Sequence, residues 1–165
     1  MIDTLKKIGR VGLLYGGTSS EREISLASGA AVAEALDRLT INASLIDVGT
    51  DVLEQLHTHN PDRAFIALHG PGGEDGTIQG LLEYLEIPYS GSGVKASALA
   101  MDKLRCKQMW RGSGLPTADF ASLKFDSDWT AILDSLGGSV IVKPSREGSS
   151  IGMSIAESPQ DLEQA

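Results

Sequence analysis

Apolar and polar positions alternate along this chain in two rhythms. Short apolar runs occupy residues 11–15, 43–48 and 64–68, each bounded by glycine, proline or charged residues. Such runs predict buried strands. Between the first two, apolar residues recur at Ile24, Ala27, Ala31, Val32, Ala35, Leu36 and Leu39. That spacing predicts a helix with one buried face over residues 24–39. Residues 52–57 predict a short helix ended by Asn60-Pro61-Asp62, residues 77–85 another, and residues 87–89 a short fourth strand. The β-α-β-α-β-α-β order predicts a parallel sheet with right-handed crossovers.

The rhythm changes at Ser90-Gly91-Ser92-Gly93, which predicts a boundary between a domain of residues 1–91 and one of residues 92–165. Helices are expected over 95–100 and 103–111. Gly112 and Gly114 stop the second, and Pro116 lies just beyond. A strand near 118–123 and a helix over 129–136 follow, with Trp110 and Trp129 as packing residues. Two further strands, 139–143 and 151–156, flank the polar segment Pro144-Ser145-Arg146-Glu147-Gly148-Ser149-Ser150. This predicts a hairpin with a mobile tip. Ser158 is a good N-cap, Pro159 fits the first helical position, and Asp161 and Glu163 suit the positive end of the helix dipole. The helix that they start has only two turns before Ala165 and is marginal alone. The chain therefore reads as cut inside a larger fold, with a frayed C-terminal helix as the alternative.

Composition narrows the function classes. The formal charge is −8, from 14 Lys and Arg against 22 Asp and Glu. Phosphate neutralisation drives nucleic-acid affinity, so a nucleic-acid partner is not expected. No apolar run is long enough to span a membrane. Residues 1–10 carry Lys6, Lys7 and Arg10 without an apolar core after them, so a signal peptide is not expected. One cysteine, Cys106, excludes an internal disulfide and points to a cytoplasmic protein with a spectator thiol.

Four places carry candidate chemistry. The turn Gly16-Gly17-Thr18-Ser19-Ser20-Glu21-Arg22-Glu23 opens a helix, a default anion site. It lacks G-x-G-x-x-G, so a dinucleotide site is not supported. Two capping boxes compete in it, Thr18 with Glu21 and Ser20 with Glu23. If Ser20 is the cap, Glu21 faces the crevice and suits a cationic group such as a substrate ammonium. Second, His69-Gly70-Pro71-Gly72-Gly73-Glu74-Asp75-Gly76 follows a strand, where open α/β sheets bind ligands. His69, Glu74 and Asp75 have the chemistry of metal ligands, but acidic residues beside glycine also make turns. Asp75 is read as a turn-maker and His69 as the ligand contact. Third, Lys103 follows the N-cap candidate Asp102, where a cation opposes the helix dipole. Such local inconsistencies concentrate at functional sites, although a solvated lysine has the same signature. Fourth, Lys143 continues an apolar strand into the serine- and glycine-rich segment, an arrangement that favours phosphate binding over an edge-protecting lysine.

Together these strings and Gly91-Ser92-Gly93 through Met101-Asp102-Lys103 closely resemble the bacterial D-alanine–D-alanine ligases of the ATP-grasp superfamily. The resemblance covers essentially the whole chain. It implies an α/β fold, with a Rossmann-like parallel-sheet domain followed by a truncated α+β first lobe of an ATP-grasp domain. It implies ATP-dependent joining of two D-alanines through an acylphosphate, for peptidoglycan precursor synthesis, in a homodimer when full length. Glu21 matches the carboxylate that holds the first D-alanine's ammonium, and His69 a histidine near that D-alanine. Lys103 and Lys143 match lysines on the ATP phosphates, and Glu147, Gly148, Ser149 and Ser150 fall in the flap over the triphosphate. Ser149 matches a serine that links the glutamate to a loop of the second lobe. That lobe is missing here, and with it the Mg2+ ligands, an intermediate-stabilising arginine and the second D-alanine's site. The 165 residues alone are therefore expected to be inactive and to expose an apolar docking face. A non-catalytic remnant or binding module, and a ligase using D-lactate or D-serine, are the alternatives.

Overall fold

The computed structural model describes residues 8–165. They form two compact units, one ending at Met101 and the other running from Asp102.

The first unit is built on β1 (Val11–Tyr15), α1 (Arg22–Arg38), β2 (Ala43–Asp47), α2 (Val52–His59), β3 (Arg63–Ile66), α3 (Thr77–Tyr84) and α4 (Val94–Met101). The three strands are parallel in the order β2-β1-β3. Leu14 lies in register with Ile46 on one side and Ile66 on the other. Alternation then puts Leu14, Ile46 and Ala64 on one face, where they pack with Leu56, Leu68, Ile78 and Leu82 from the α2 and α3 side. Burying each large aliphatic side chain contributes roughly 1.5–3 kcal/mol relative to exposure. The opposite face carries Leu13, fully buried, and is covered by α1. Gly29 permits that approach, because a Cβ there would stand 2.6 Å from Tyr15 Cβ.

Three expectations change here. Residues 87–89 do not form a strand; Tyr89 makes one parallel bridge to Ala64. That bridge consists of two hydrogen bonds, Ala64 N–H to Pro88 O and Ser90 N–H to Ala64 O, too few to make a ladder. Neither capping box forms at α1: Glu21 is the N-cap residue and its side chain makes no capping bond. Helix α4 packs on α3, so the first unit extends one helix past the Gly91 boundary.

The second unit holds α5 (Lys103–Gly112), α6 (Trp129–Ser135), the antiparallel pair β4 (Val140–Val142) and β5 (Ser154–Ala156), and α7 (Pro159–Gln164). Its small core is Leu133, Ala156 and Leu162, with Leu123, Trp129, Ile132, Val140 and Val142 against it. Trp129 thus packs as expected, whereas Trp110 lies 38% exposed on α5. The expected strand at 118–123 is absent. Phe120 instead lies under the Lys107 and Arg111 side chains of α5, 5.2 and 4.4 Å from its ring centre. These cation–π contacts tie the segment to a helix rather than to a strand. Ser158 and Asp161 form a complete capping box at α7.

Candidate functional site

Strand order β2-β1-β3 means that the chain leaves β1 towards one edge and returns to the other. The carboxyl ends of β1 and β3 therefore flank a topological switch point, the place where open α/β sheets accept ligands. Two loops meet there: the one from Gly16 to Arg22 and the one from His69 to Gly76.

Glu21 lies in the first loop and is 2% exposed. Its N–H donates to Ser19 Oγ at 3.2 Å. Gly70 of the second loop comes close enough that a Cβ there would meet Glu21 Oε1 at 2.8 Å and Ser19 Oγ at 3.3 Å. At φ 69° this position also favours glycine on backbone grounds. Ser19 crosses between the loops, its hydroxyl donating to His69 O at 2.8 Å. One turn into α1, the buried Ser25 hydroxyl donates to Ala67 O at 2.7 Å. Ser28 Oγ stands 2.9 Å from His69 Nε2. Glu21 and His69 are thus brought together by hydroxyls on one helix and its entry turn. A carboxylate held in such a low-dielectric place attracts an ammonium far more strongly than one in water.

The second loop is shaped by its own acids. Glu74 accepts the Gly70 N–H at 2.9 Å, and Asp75 accepts the Thr77 N–H at 3.0 Å. Burial works to raise the Asp75 pKa, but the backbone N–H groups of Gly72, Thr77 and Asp75 and the Thr77 hydroxyl together hold the carboxyl below its usual range. Both carboxylates serve the turn, while His69 turns to Ser28. Among the described residues no three His, Cys, Asp or Glu side chains converge on a metal position. Gln79 adds a support that the sequence does not reveal, its amide donating to Gly73 O at 2.7 Å.

In the second unit, Lys103, Lys143, Glu147, Gly148, Ser149 and Ser150 line one cavity of about 80 Å³. Strand β4 directs Val140 and Val142 to the core and leaves Ile141 57% exposed, and Lys143 follows directly at its end. The Lys103 ammonium donates to the Glu147 carbonyl, and its N–H donates to Ser145 O at 3.0 Å. Ser149 and Ser150 both take positive φ, 47° and 61°. Consecutive left-handed residues without glycine are costly in an isolated chain and cluster at ligand loops.

Asp102 organises this segment. It caps α5 by accepting the Arg105 N–H at 3.0 Å. It also accepts from Ser145 Oγ at 3.2 Å and from the Arg146 guanidinium at 3.2 and 3.3 Å. The Arg105 N–H first, then Ser145 and Arg146, hold its carboxyl below the usual range against the opposing effect of burial. The sequence identified Asp102 only as a cap; the 43-residue separation from Ser145 hid the rest.

The sequence matches two family models, described as D-ala D-ala ligase N-terminus over residues 49–92 and D-ala D-ala ligase C-terminus over residues 109–165. It is 56% identical over 158 residues to a D-alanine–D-alanine ligase of Saccharophagus degradans, covering 96% of the chain and 50% of the relative. A crystal structure of the D-alanine–D-alanine ligase from Bacillus anthracis superposes with TM-score 0.76 at 37% identity, over 93% of this chain and 51% of that one. A structure of the Bacillus anthracis enzyme complexed with ATP gives TM-score 0.75 at 36% identity, over 93% and 52%. The chain spans about half the length of the curated relatives it matches.

Proposed function

The chain belongs to the D-alanine–D-alanine ligase family, and we propose that it supplies the first D-alanine's site and the phosphate-binding side of the ATP site in a ligase that joins two D-alanines. In that reaction the γ-phosphoryl group of ATP passes to a carboxylate oxygen of the first D-alanine, releasing ADP. The amine of the second D-alanine attacks the acylphosphate carbonyl and expels phosphate. The peptide serves peptidoglycan precursor synthesis, in a cytoplasmic homodimer. Among the described residues no helix is long and apolar enough to cross a membrane.

The observation that carries this reading is that the buried Glu21 and His69 lie on the two loops that meet at the β1/β3 switch point, joined through the Ser19 and Ser28 hydroxyls. Glu21 would hold the ammonium of the first D-alanine and His69 would lie beside the same molecule. Lys103 and Lys143 would neutralise charge on the triphosphate during transfer, and the segment from Glu147 to Ser150 would cover it with backbone donors. The ATP complex of the Bacillus anthracis relative supports the choice of nucleotide. Mg2+ would supply a Lewis acid at the phosphates. Its ligands, the arginine for the tetrahedral intermediate and the second D-alanine's site would belong to the relatives' other half, so the 165 residues alone would not ligate.

A chimera tests this directly. Residues 1–165 joined to the remaining half of the Saccharophagus degradans relative should release phosphate from ATP only when D-alanine is present, and should form the dipeptide. The unjoined chain should do neither. An inactive but folded chimera, beside an active parent relative, would sink the assignment; turnover by the unjoined chain would sink the division of labour.

A further inference from the structure

Three serine hydroxyls reach from α1 and its entry turn to the end of the β3 segment. Ser19 and Ser25 meet carbonyl oxygens, which only accept. Ser28 alone meets a group able to take either role, the Nε2 of His69 at 2.9 Å. A neutral imidazole carries one N–H, and the partner of one ring nitrogen decides where that proton sits. We infer that Ser28 is a positioning residue that donates its hydroxyl proton to Nε2 of His69 and holds the ring as its Nδ1–H tautomer. The inference rests on the reading of Glu21 and His69 as the first D-alanine's site and deepens it.

The consequence is chemical. An amino acid bound by its ammonium at Glu21 presents a carboxylate, which needs a donor. An imidazole kept as Nδ1–H offers one without having to be protonated. The opposite tautomer would offer Nδ1 only as an acceptor, set against carboxylate lone pairs. Ser19 fixes the His69 main chain through its carbonyl, so Ser28 has only the ring orientation and proton to determine. Ser28 and Ser25 are three apart, one turn of the same helix, so both hydroxyls reach the β3 segment from one face.

The test reads the ring itself. In the full chain labelled with 15N-histidine, two-bond 1H–15N spectra at about pH 8.5, where an ordinary imidazole is neutral, should show His69 as Nδ1–H. Ser28→Thr should keep that pattern, because it keeps the hydroxyl donor. Ser28→Ala should move His69 towards Nε2–H. An Nε2–H ring in the unmodified chain, or an unchanged pattern in Ser28→Ala, overturns the inference. D-alanine titration of the same samples should be about five-fold weaker for Ser28→Ala than for the unmodified chain, the loss of one net hydrogen bond, with Ser28→Thr near the unmodified value. His69→Ala separates the two readings: if it binds D-alanine as tightly as the unmodified chain, the assignment of His69 to the substrate site fails whatever the ring spectra show.

Discussion

Arg22 grips Asp47 with both terminal guanidinium nitrogens, at 2.7 and 2.6 Å, and the first of them also donates to Gly17 O at 3.0 Å. The pair ties the turn after β1 to the end of β2. Gly16 is enclosed by it, since a Cβ there would stand 2.1 Å from Asp47 Oδ1. At 41% and 44% exposure the charges are screened by water, so the consequence is geometric before it is energetic. Glu21 immediately precedes Arg22, and its loop is held by this pair from one side and by Ser19 from the other.

Asp47→Asn should therefore weaken D-alanine binding more than it lowers the melting temperature. The Arg22 hydrogen bonds, against a smaller opposing effect of burial, hold the Asp47 carboxyl below its ordinary range. A carboxyl whose folded pKa is depressed stabilises the fold fully above its unfolded pKa of about 4 and loses that contribution as pH falls through the depressed value. Thermal unfolding at neutral and acid pH should thus show a smaller acid-induced loss in Asp47→Asn than in the unmodified protein. Equal losses would show that the pair is not coupled to folding.

Gly29 gives a sharper test of how α1 sits. A Cβ added there would stand 2.6 Å from Tyr15 Cβ and 2.7 Å from the ring, too close for relief by a flexible tip. Gly29→Ala should cost about 1–3 kcal/mol in urea unfolding, as overpacking does. Gly112, at the end of α5, has open space where a Cβ would stand, with nothing within 4 Å. Gly112→Ala should leave stability unchanged or raise it by about 0.5–1 kcal/mol through helix propensity. Similar losses at both positions would contradict the close packing of α1 on β1.

The strands and helices with strong local period were legible: Leu13, Leu14, Ile46 and Leu82 are buried as their pattern demands. The turns carrying Glu21 and His69, the helix start at Lys103 and the strand end at Lys143 were also legible, because glycine turns after strands and charges after apolar runs are local signals. What the sequence hid is long-range. No local rule pairs Ser28 with His69, Arg22 with Asp47 or Asp102 with Arg146, separated by 41, 25 and 44 residues. The capping box of Thr18 with Glu21 failed for a related reason. Ser19 takes the Glu21 N–H while binding His69 O, so a tertiary contact displaced the local cap. Residues 118–123 have the pattern of a strand, yet Phe120 meets two cations on α5 instead of a neighbouring strand.

Lys103 and Lys143 line one cavity but are bound differently, and substitution should separate them. Lys103 is tied to the Glu147 carbonyl and, through its N–H, to Ser145. Lys143 is exposed at the end of β4. In the active chimera, Lys143→Ala should raise the apparent KM for ATP roughly ten-fold or more, the loss of a charge-assisted hydrogen bond, with an unchanged melting temperature. Lys103→Ala should raise that KM and also lower the melting temperature. An unchanged KM for Lys143→Ala would remove that residue from the nucleotide site.

Asp102 predicts the order in which the segment from Ser145 to Ser150 loosens. Its carboxylate joins three elements: the Arg105 N–H at the start of α5, the Ser145 hydroxyl and the Arg146 guanidinium. Asn keeps an acceptor for the cap and for Ser145 but loses the charge that attracts Arg146. Ala loses all three. Arg146 is 77% exposed, so a trypsin-like protease has access to its side chain, and cleavage after it reports how often the backbone opens. The cleavage rate should rise from the unmodified protein to Asp102→Asn and again to Asp102→Ala. Equal rates in all three would mean that the segment is held elsewhere, by the Lys103 contacts alone, and Lys103→Ala would then give the largest increase.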